Sequence, residues 1–187
     1  MKTLIINGSH RAGNTDIAVD RVRKLLEQSC EVRVLMLRDI EMKLPDGCEA
    51  CANSEICPNI KDEFSEKIEP SIRNFDIYII ATPTYSDNVT PLTKIFWDRI
   101  VSWCNEEKMY LRGKRLAVIA HGMEEAKYLN SVVGWVKGVC RWEEATFGGA
   151  LVFTSDSKVG TKTAEDPKVK AFVETLLVVS TGFNNIS

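Results

Sequence analysis

Leu4-Ile5-Ile6-Asn7-Gly8-Ser9-His10-Arg11-Ala12-Gly13-Asn14-Thr15-Asp16 sets the fold of this 187-residue chain. An apolar run ends in a small, polar, glycine-containing turn, and a helical pattern starts directly after it. A strand, a tight turn and a helix N-terminus in that order aim several backbone N–H groups and a positive dipole end at one point. A phosphate group suits that point. Ser9, Asn14 and Thr15 add side-chain donors and Arg11 adds charge. An ordinary strand-to-helix turn capped by Asn14 or Thr15 shows the same pattern. No Lys-Ser or Lys-Thr follows the last glycine, so the turn is not a Walker A loop. The G-x-G-x-x-G spacing of a dinucleotide fold is also missing. A phosphate bound here is expected to be a monoester.

Outward from this turn, strands and helices alternate. Ile17, Ala18, Val22, Leu25 and Leu26 repeat at helical spacing to about Gln28, and Val32, Val34 and Met36 alternate as a second strand. Strand, helix and strand with short joints make a βαβ unit with parallel strands. Residues 37–61 are irregular, carry Pro45, Gly47, Pro58 and three cysteines, and are too long for a plain connector. Residues 62–73 resume a helical pattern that Asp62 is placed to cap and that Pro70 interrupts. Asp76-Ile77-Tyr78-Ile79-Ile80-Ala81-Thr82 is a continuous apolar run, as for a strand covered on both faces at the sheet centre.

A polar loop, Pro83-Thr84-Tyr85-Ser86-Asp87-Asn88-Val89-Thr90, follows that strand, and a helix starts at Pro91 with Thr90 as cap. Its apolar face is Leu92, Ile95, Phe96, Ile100 and Trp103. Residues 116–121 form a fourth strand, whose loop opens at Gly122 and Met123. Ala126, Leu129, Val132, Val133, Val136 and Val139 mark a fourth helix, on which Trp135 and Trp142 have no assigned role. Residues 145–153 give a fifth strand, and a polar loop over 154–165 leads to a last helix capped by Asp166-Pro167. The tail is expected to fray from Ser180.

This alternation predicts one α/β domain over residues 1–187, a doubly wound parallel sheet of strand order 2-1-3-4-5. Ligands in such sheets sit at the carboxyl edge where strand order reverses, here between the first and third strands. The turn at 7–15 and the loop at 82–90 therefore converge. A phosphate-tailed planar heterocycle matches both. Main-chain N–H groups near Tyr85 to Val89 can bond its polar edge, Tyr85 can pack on it, and the loop His121-Gly122-Met123 can close the pocket. A surface turn for Tyr85, and plain packing for His121, are the bland alternatives.

Composition narrows the class. The chain carries 24 basic and 26 acidic residues, net charge −2, which argues for no nucleic-acid surface. No apolar run is long enough to span a bilayer, the N-terminus lacks signal-peptide features, and a cytoplasmic location is expected. Of the six cysteines, Cys30, Cys104 and Cys140 read as small buried hydrophobes, while Cys48, Cys51 and Cys57 share one loop. No G-x-S-x-G elbow occurs, and the two histidines are His10 and His121, which argues against a hydrolase.

Three segments resemble the NAD(P)H-dependent FMN reductase and iron–sulfur flavoprotein group of flavodoxin-like proteins. Ile5-Ile6-Asn7-Gly8-Ser9-His10-Arg11-Ala12-Gly13-Asn14-Thr15 resembles the family's G-S-P-R-x-x-G/S-N-T phosphate loop, with His10 where proline is common. The stretch from Ala81 to Lys94, with Asp98-Arg99, resembles its isoalloxazine-contacting segment. Gly47-Cys48-Glu49-Ala50-Cys51 resembles its G-C-x-x-C loop. The resemblance implies a flavodoxin-like three-layer sandwich. It also implies FMN held by its phosphate on Ser9, Arg11, Asn14 and Thr15, and by its ring on Pro83, Thr84, Tyr85, Ser86, Asp87, Asn88 and Val89. NAD(P)H as donor, a small electron acceptor and a homodimer follow from the same resemblance. Ser54 stands where the third cysteine of a cluster motif falls. Cys48, Cys51 and Cys57 leave a four-thiolate cluster or zinc site one ligand short unless a His or carboxylate completes it, so no metal is expected, and these three cysteines are the ligands should a cluster form. An electron carrier without NAD(P)H turnover, with or without an iron–sulfur cluster, and a non-catalytic flavin-binding module are the rival functions.

Overall fold

The computed structural model describes residues 1–54, 57–100, 109, 111–122, 129–154 and 167–178. β1 (Lys2–Asn7), α1 (Asn14–Leu26) and β2 (Glu31–Met36) come first. Short 3₁₀ turns at Leu37–Asp39 and Ala50–Asn53 punctuate the long irregular segment, and a π-helical turn at Phe64–Ile68 runs into α2 (Glu69–Ser71). Then follow β3 (Ile77–Pro83), α3 (Pro91–Arg99), β4 (Arg115–Gly122), α4 (Asn130–Trp142), β5 (Thr146–Thr154) and α5 (Pro167–Leu177).

The five strands form one parallel sheet in the order β2-β1-β3-β4-β5, as the alternation predicted. β3 lies at its centre with every residue but the last buried, which its unbroken apolar run requires. Successive side chains of each strand face opposite layers. Leu4, Ile6, Tyr78, Ile80 and Val118 pack with Phe96, Trp97, Val132 and Val136 of α3 and α4. Ile5, Ile77, Ile79 and Ile119 pack with Val19, Val22, Val169 and Val173 of α1 and α5. The result is a flavodoxin-like three-layer α/β sandwich. Asn7 pairs level with Ala81, and Pro83 with His121, so β1, β3 and β4 end side by side at one edge.

Two local expectations are corrected. Neither Asn14 nor Thr15 caps α1. Gly13 holds the cap position in extended backbone (φ 178°) without a side-chain cap bond. Residues 62–73 do not form one regular α-helix: a π turn directly precedes Pro70. Proline supplies no N–H for the carbonyl one turn back and its ring crowds it, so the turn widens there. Trp135 has a packing role, edge-on to Trp97 at 5.8 Å between ring centroids, whereas Trp142 is exposed. Thr90 does cap α3, accepting a hydrogen bond from the Thr93 N–H. Cys140 is buried, and burial pushes its thiol up to about 11. Trp103, Cys104, Met123, Ala126, the polar loop beyond Thr154, Asp166 and the tail from Ser180 lie outside the described residues. Among the described residues, no helix is long and apolar enough to cross a membrane.

Candidate functional site

The turn after β1 is ordered by its own polar groups. The buried Asn7 side chain accepts from the Ser9 N–H through Oδ1 at 3.0 Å, and the Ser9 hydroxyl donates to the Arg11 carbonyl at 2.8 Å. Beyond Ser9 the turn faces solvent: His10, Arg11, Ala12, Gly13 and Asn14 are exposed, while Thr15 is buried. The first N–H groups of a helix have no acceptor within it. Among the described residues, none of the backbone N–H groups at 10–16 donates to a protein acceptor, and the Arg11 guanidinium makes no hydrogen bond or ion pair. Asn14 Nδ2 lies 3.1 Å from His121 Nε2. An amide N–H donor there makes Nε2 the acceptor and the imidazole neutral, and burial pushes the His121 pKa down in the same direction.

The loop after β3 contains a tight reversal. Tyr85 and Asn88 exchange both main-chain hydrogen bonds, at 2.9 and 3.0 Å. Ser86 and Asp87 between them have φ of 47° and 57°. Two consecutive left-handed residues define a type I′ turn, a geometry whose strain is eased by short polar side chains. This turn uses the N–H groups of Tyr85 and Asn88, and Asn88 Oδ1 takes that of Val89 at 2.8 Å. The Thr84 N–H donates to the His121 carbonyl. Among the described residues, the N–H groups of Ser86 and Asp87 have no protein acceptor. Tyr85 is 45% exposed and stacks on His10, with ring centroids 5.6 Å apart and planes 11° from parallel.

The two loops are joined directly. The Gly8 N–H donates to the Ala81 carbonyl at 2.8 Å, and the Thr90 hydroxyl donates to the Gly8 carbonyl at 2.6 Å. Thr82 Oγ1 accepts from the Thr90 N–H at 3.2 Å, and Thr93 Oγ1 lies 2.9 Å from Thr90 Oγ1. A Cβ at Gly8 would stand 1.8 Å from Thr93 Oγ1, so only glycine lets β1 end this close to α3. Gly122 is also closely packed, with an added Cβ 2.8 Å from Leu129 and 2.9 Å from the Thr84 hydroxyl. The clamp of Thr82, Thr90 and Thr93 escaped the sequence reading beyond the cap at Thr90. Beyond the Thr90–Thr93 pair its partners are 8 to 82 residues apart, and no local pattern announces them.

Cys48, Cys51 and Cys57 line a separate cleft of about 230 Å³ at the other end of α3, beside Asp98 and Arg99. A nine-residue helix puts that cleft about 13 Å from the Thr90 cap. Asn59 Nδ2 donates to Cys48 Sγ at 3.2 Å, and the Ile60 N–H to Cys57 Sγ at 3.4 Å. Among the described residues, no three His, Cys, Asp or Glu side chains are grouped so as to hold a metal ion.

Arg99 is not at the ring-binding loop. It is buried and forms a two-pronged ion pair with buried Asp62, at 2.7 and 3.0 Å, while also donating to the Lys43 carbonyl at 2.8 Å. The Lys43 and Ser65 N–H groups donate to the same carboxylate. Burial alone would raise the Asp62 carboxyl. The hydrogen bonds from Arg99, Lys43 and Ser65 outweigh it and hold the group well below the usual carboxylate range.

The fold and the carboxyl-edge site define a flavodoxin-like α/β protein. More particularly, the chain belongs to the NADPH-dependent FMN reductase family, whose model matches residues 1–155. It is similar to an iron-sulfur flavoprotein of Archaeoglobus fulgidus, 36% identical over 103 residues that cover 53% of this chain and 48% of that protein. The chain spans about half the length of the curated relatives it matches. Among solved structures, RosB with bound 8-demethyl-8-formylriboflavin-5'-phosphate is similar at TM-score 0.68 and 18% identity, over 94% of this chain and 75% of that one. The two-electron-reduced flavodoxin of Megasphaera elsdenii is similar at TM-score 0.58 and 13% identity, over 93% and 97% of the two chains. At these identities the structures speak for the fold.

Proposed function

We propose that residues 1–187 act as one FMN-binding domain and that the protein is an FMN-dependent oxidoreductase using NAD(P)H. The observation that carries this is the junction of the two loops at the carboxyl edge. One presents free N–H groups and Arg11 at the start of α1, and the other presents Tyr85 with the Ser86 and Asp87 N–H groups. The donor set fits a phosphate monoester attached to a flat ring. The N–H groups at 10–16, Asn14, Thr15 and Arg11 would hold the phosphate. The Ser9 hydroxyl would join them by turning away from the Arg11 carbonyl. Pro83, Thr84, Tyr85, Ser86, Asp87, Asn88 and Val89 would frame the ring, with Ser86 and Asp87 supplying its main-chain donors. His121 and Gly122 would form the wall next to Asn14.

The chemistry that FMN supplies when bound is acceptance of hydride from a reduced nicotinamide and delivery of electrons to a quinone, nitro-compound, flavin or metal ion. No acid or base of the chain is required for it. The two loops of the chain would hold and orient the ring between them. A homodimer accompanies this proposal through the family resemblance, a cytoplasmic location through the sequence features given above, and Cys48, Cys51 and Cys57 are given no metal.

Anaerobic addition of NADPH to the FMN-loaded protein tests the function. Bleaching of the flavin absorbance faster than for free FMN is expected. Bleaching no faster than for free FMN would leave an electron carrier. A broad brown absorbance with stoichiometric iron would show a cluster at the cysteine loop.

A further inference from the structure

Asp16 is badly placed for an anion site. It is the third residue of α1, in the turn whose N–H groups face the proposed phosphate. A carboxylate in a first helical turn is ordinarily favoured by the helix's own N–H groups and dipole. There it would take donors from the phosphate and repel it.

The structure turns it elsewhere. Asn7 Nδ2 donates to Asp16 Oδ1 at 2.6 Å. Arg38, in the 3₁₀ turn after β2, grips the same carboxylate with both prongs, Nη1 on Oδ1 at 3.0 Å and Nη2 on Oδ2 at 2.9 Å. The two side chains are only 21% and 19% exposed, so solvent screens this pair less than an open surface pair. The chain of bonds continues inward. With its Nδ2 on Asp16, Asn7 presents Oδ1 to the Ser9 N–H and fixes the start of the phosphate turn.

We propose that Arg38 is a positioning residue for the phosphate of FMN. It neutralises Asp16, holds that carboxylate off the α1 N-terminus, and through Asn7 fixes the turn at Ser9. This inference rests on the phosphate assignment made above. It also ties the segment that leads into the cysteine loop to the proposed flavin site.

Fluorescence titration of the flavin-free protein with FMN and with riboflavin, which lacks the phosphate, tests it. Arg38→Met is expected to weaken FMN by about tenfold or more and riboflavin by less than about twofold. Adding Asp16→Asn to that variant should return FMN affinity to within about threefold of the unaltered protein, because no carboxylate then needs a partner. FMN affinity unchanged in Arg38→Met, equal loss for both ligands, or no recovery in the double variant would overturn the proposal. Should Arg38→Met not fold, Arg38→Lys keeps the charge without the fork. A loss of about threefold to fivefold confined to FMN supports the proposal, and an equal loss for both ligands overturns it. Arg11→Ala separates the two layers of inference. If it selectively weakens FMN while Arg38→Met does not, the phosphate site stands and the role of Arg38 falls. If the unaltered protein binds both ligands equally and Arg11→Ala changes neither, the phosphate assignment itself falls.

Discussion

Replacing Arg99 with Met will lower the free energy of unfolding by about 3–5 kcal/mol, the usual cost of leaving one member of a buried ion pair without its partner. Asp62 and Arg99 side chains are 0% and 2% exposed, so neither charge can be rescued by water without opening the structure. The loss extends beyond the pair, because Arg99 also holds the Lys43 carbonyl and Asp62 holds the Lys43 and Ser65 N–H groups. One side-chain pair thus fastens the cysteine-bearing segment, the π turn and the end of α3 together. The paired variant Asp62→Leu with Arg99→Met should recover much of the loss, since no orphaned charge remains. Urea unfolding measures all three proteins.

The same pair fixes an acid limit. The Asp62 carboxyl is held below its unfolded value, so its contribution is complete above about pH 4 and is lost as pH falls from there. In Arg99→Met the main attraction that depresses this group is gone, so the acid limb of the stability profile should become shallower below about pH 4. An acid limb as steep as that of the unaltered protein would remove Asp62 from the account.

Gly8→Ala is the second large effect. The new methyl would lie 1.8 Å from Thr93 Oγ1 and 3.1 Å from Thr90 Oγ1, inside a clamp whose members already bond to one another. Thr93 can yield only by giving up its bonds to Thr90 and Thr82, at 2.9 and 3.4 Å. Overpacking of this kind costs about 1–3 kcal/mol. Moving β1 away from α3 also separates the two loops, so FMN affinity should fall by about tenfold or more. Gly13→Ala is the control, since an added Cβ there meets nothing within 4 Å and the backbone is extended. It should keep its stability within about 1 kcal/mol. Thr93→Ala placed with Gly8→Ala removes the shortest contact and should restore part of the stability.

The layered fold was legible because its signals are local. The apolar run at 77–81 reads as a covered central strand, and the small polar turn at 8–13 reads as a joint between a strand and a helix. Together they bring the two loops to one edge, and the hydrogen bonds of Gly8 bear that placement out. What stayed hidden depends on long separations. Asp62 and Arg99 are 37 residues apart and Asp16 and Arg38 are 22 apart, and neither residue of a pair, read singly, points to its partner. In the second loop the type I′ turn at Ser86 and Asp87 engages the N–H groups of Tyr85 and Asn88 and leaves those of Ser86 and Asp87 without a protein acceptor, a division that no sequence pattern marks. The left-handed backbone responsible belongs to residues without a glycine signature. The loss of a regular helix at 64–71 was half legible, as Pro70 announced a break but not that the turn before it would widen.

The joint grip of the two loops on one phosphorylated ring is tested most directly by amide ¹H–¹⁵N shifts of the ¹⁵N-labelled protein on addition of FMN. The resonances of His10 to Asn14 and of Ser86 and Asp87 should move together and saturate at one FMN per chain, while those of Cys48 and Cys51 stay in place. Shifts confined to the Cys48, Cys51 and Cys57 cleft, or to one of the two loops alone, would contradict it.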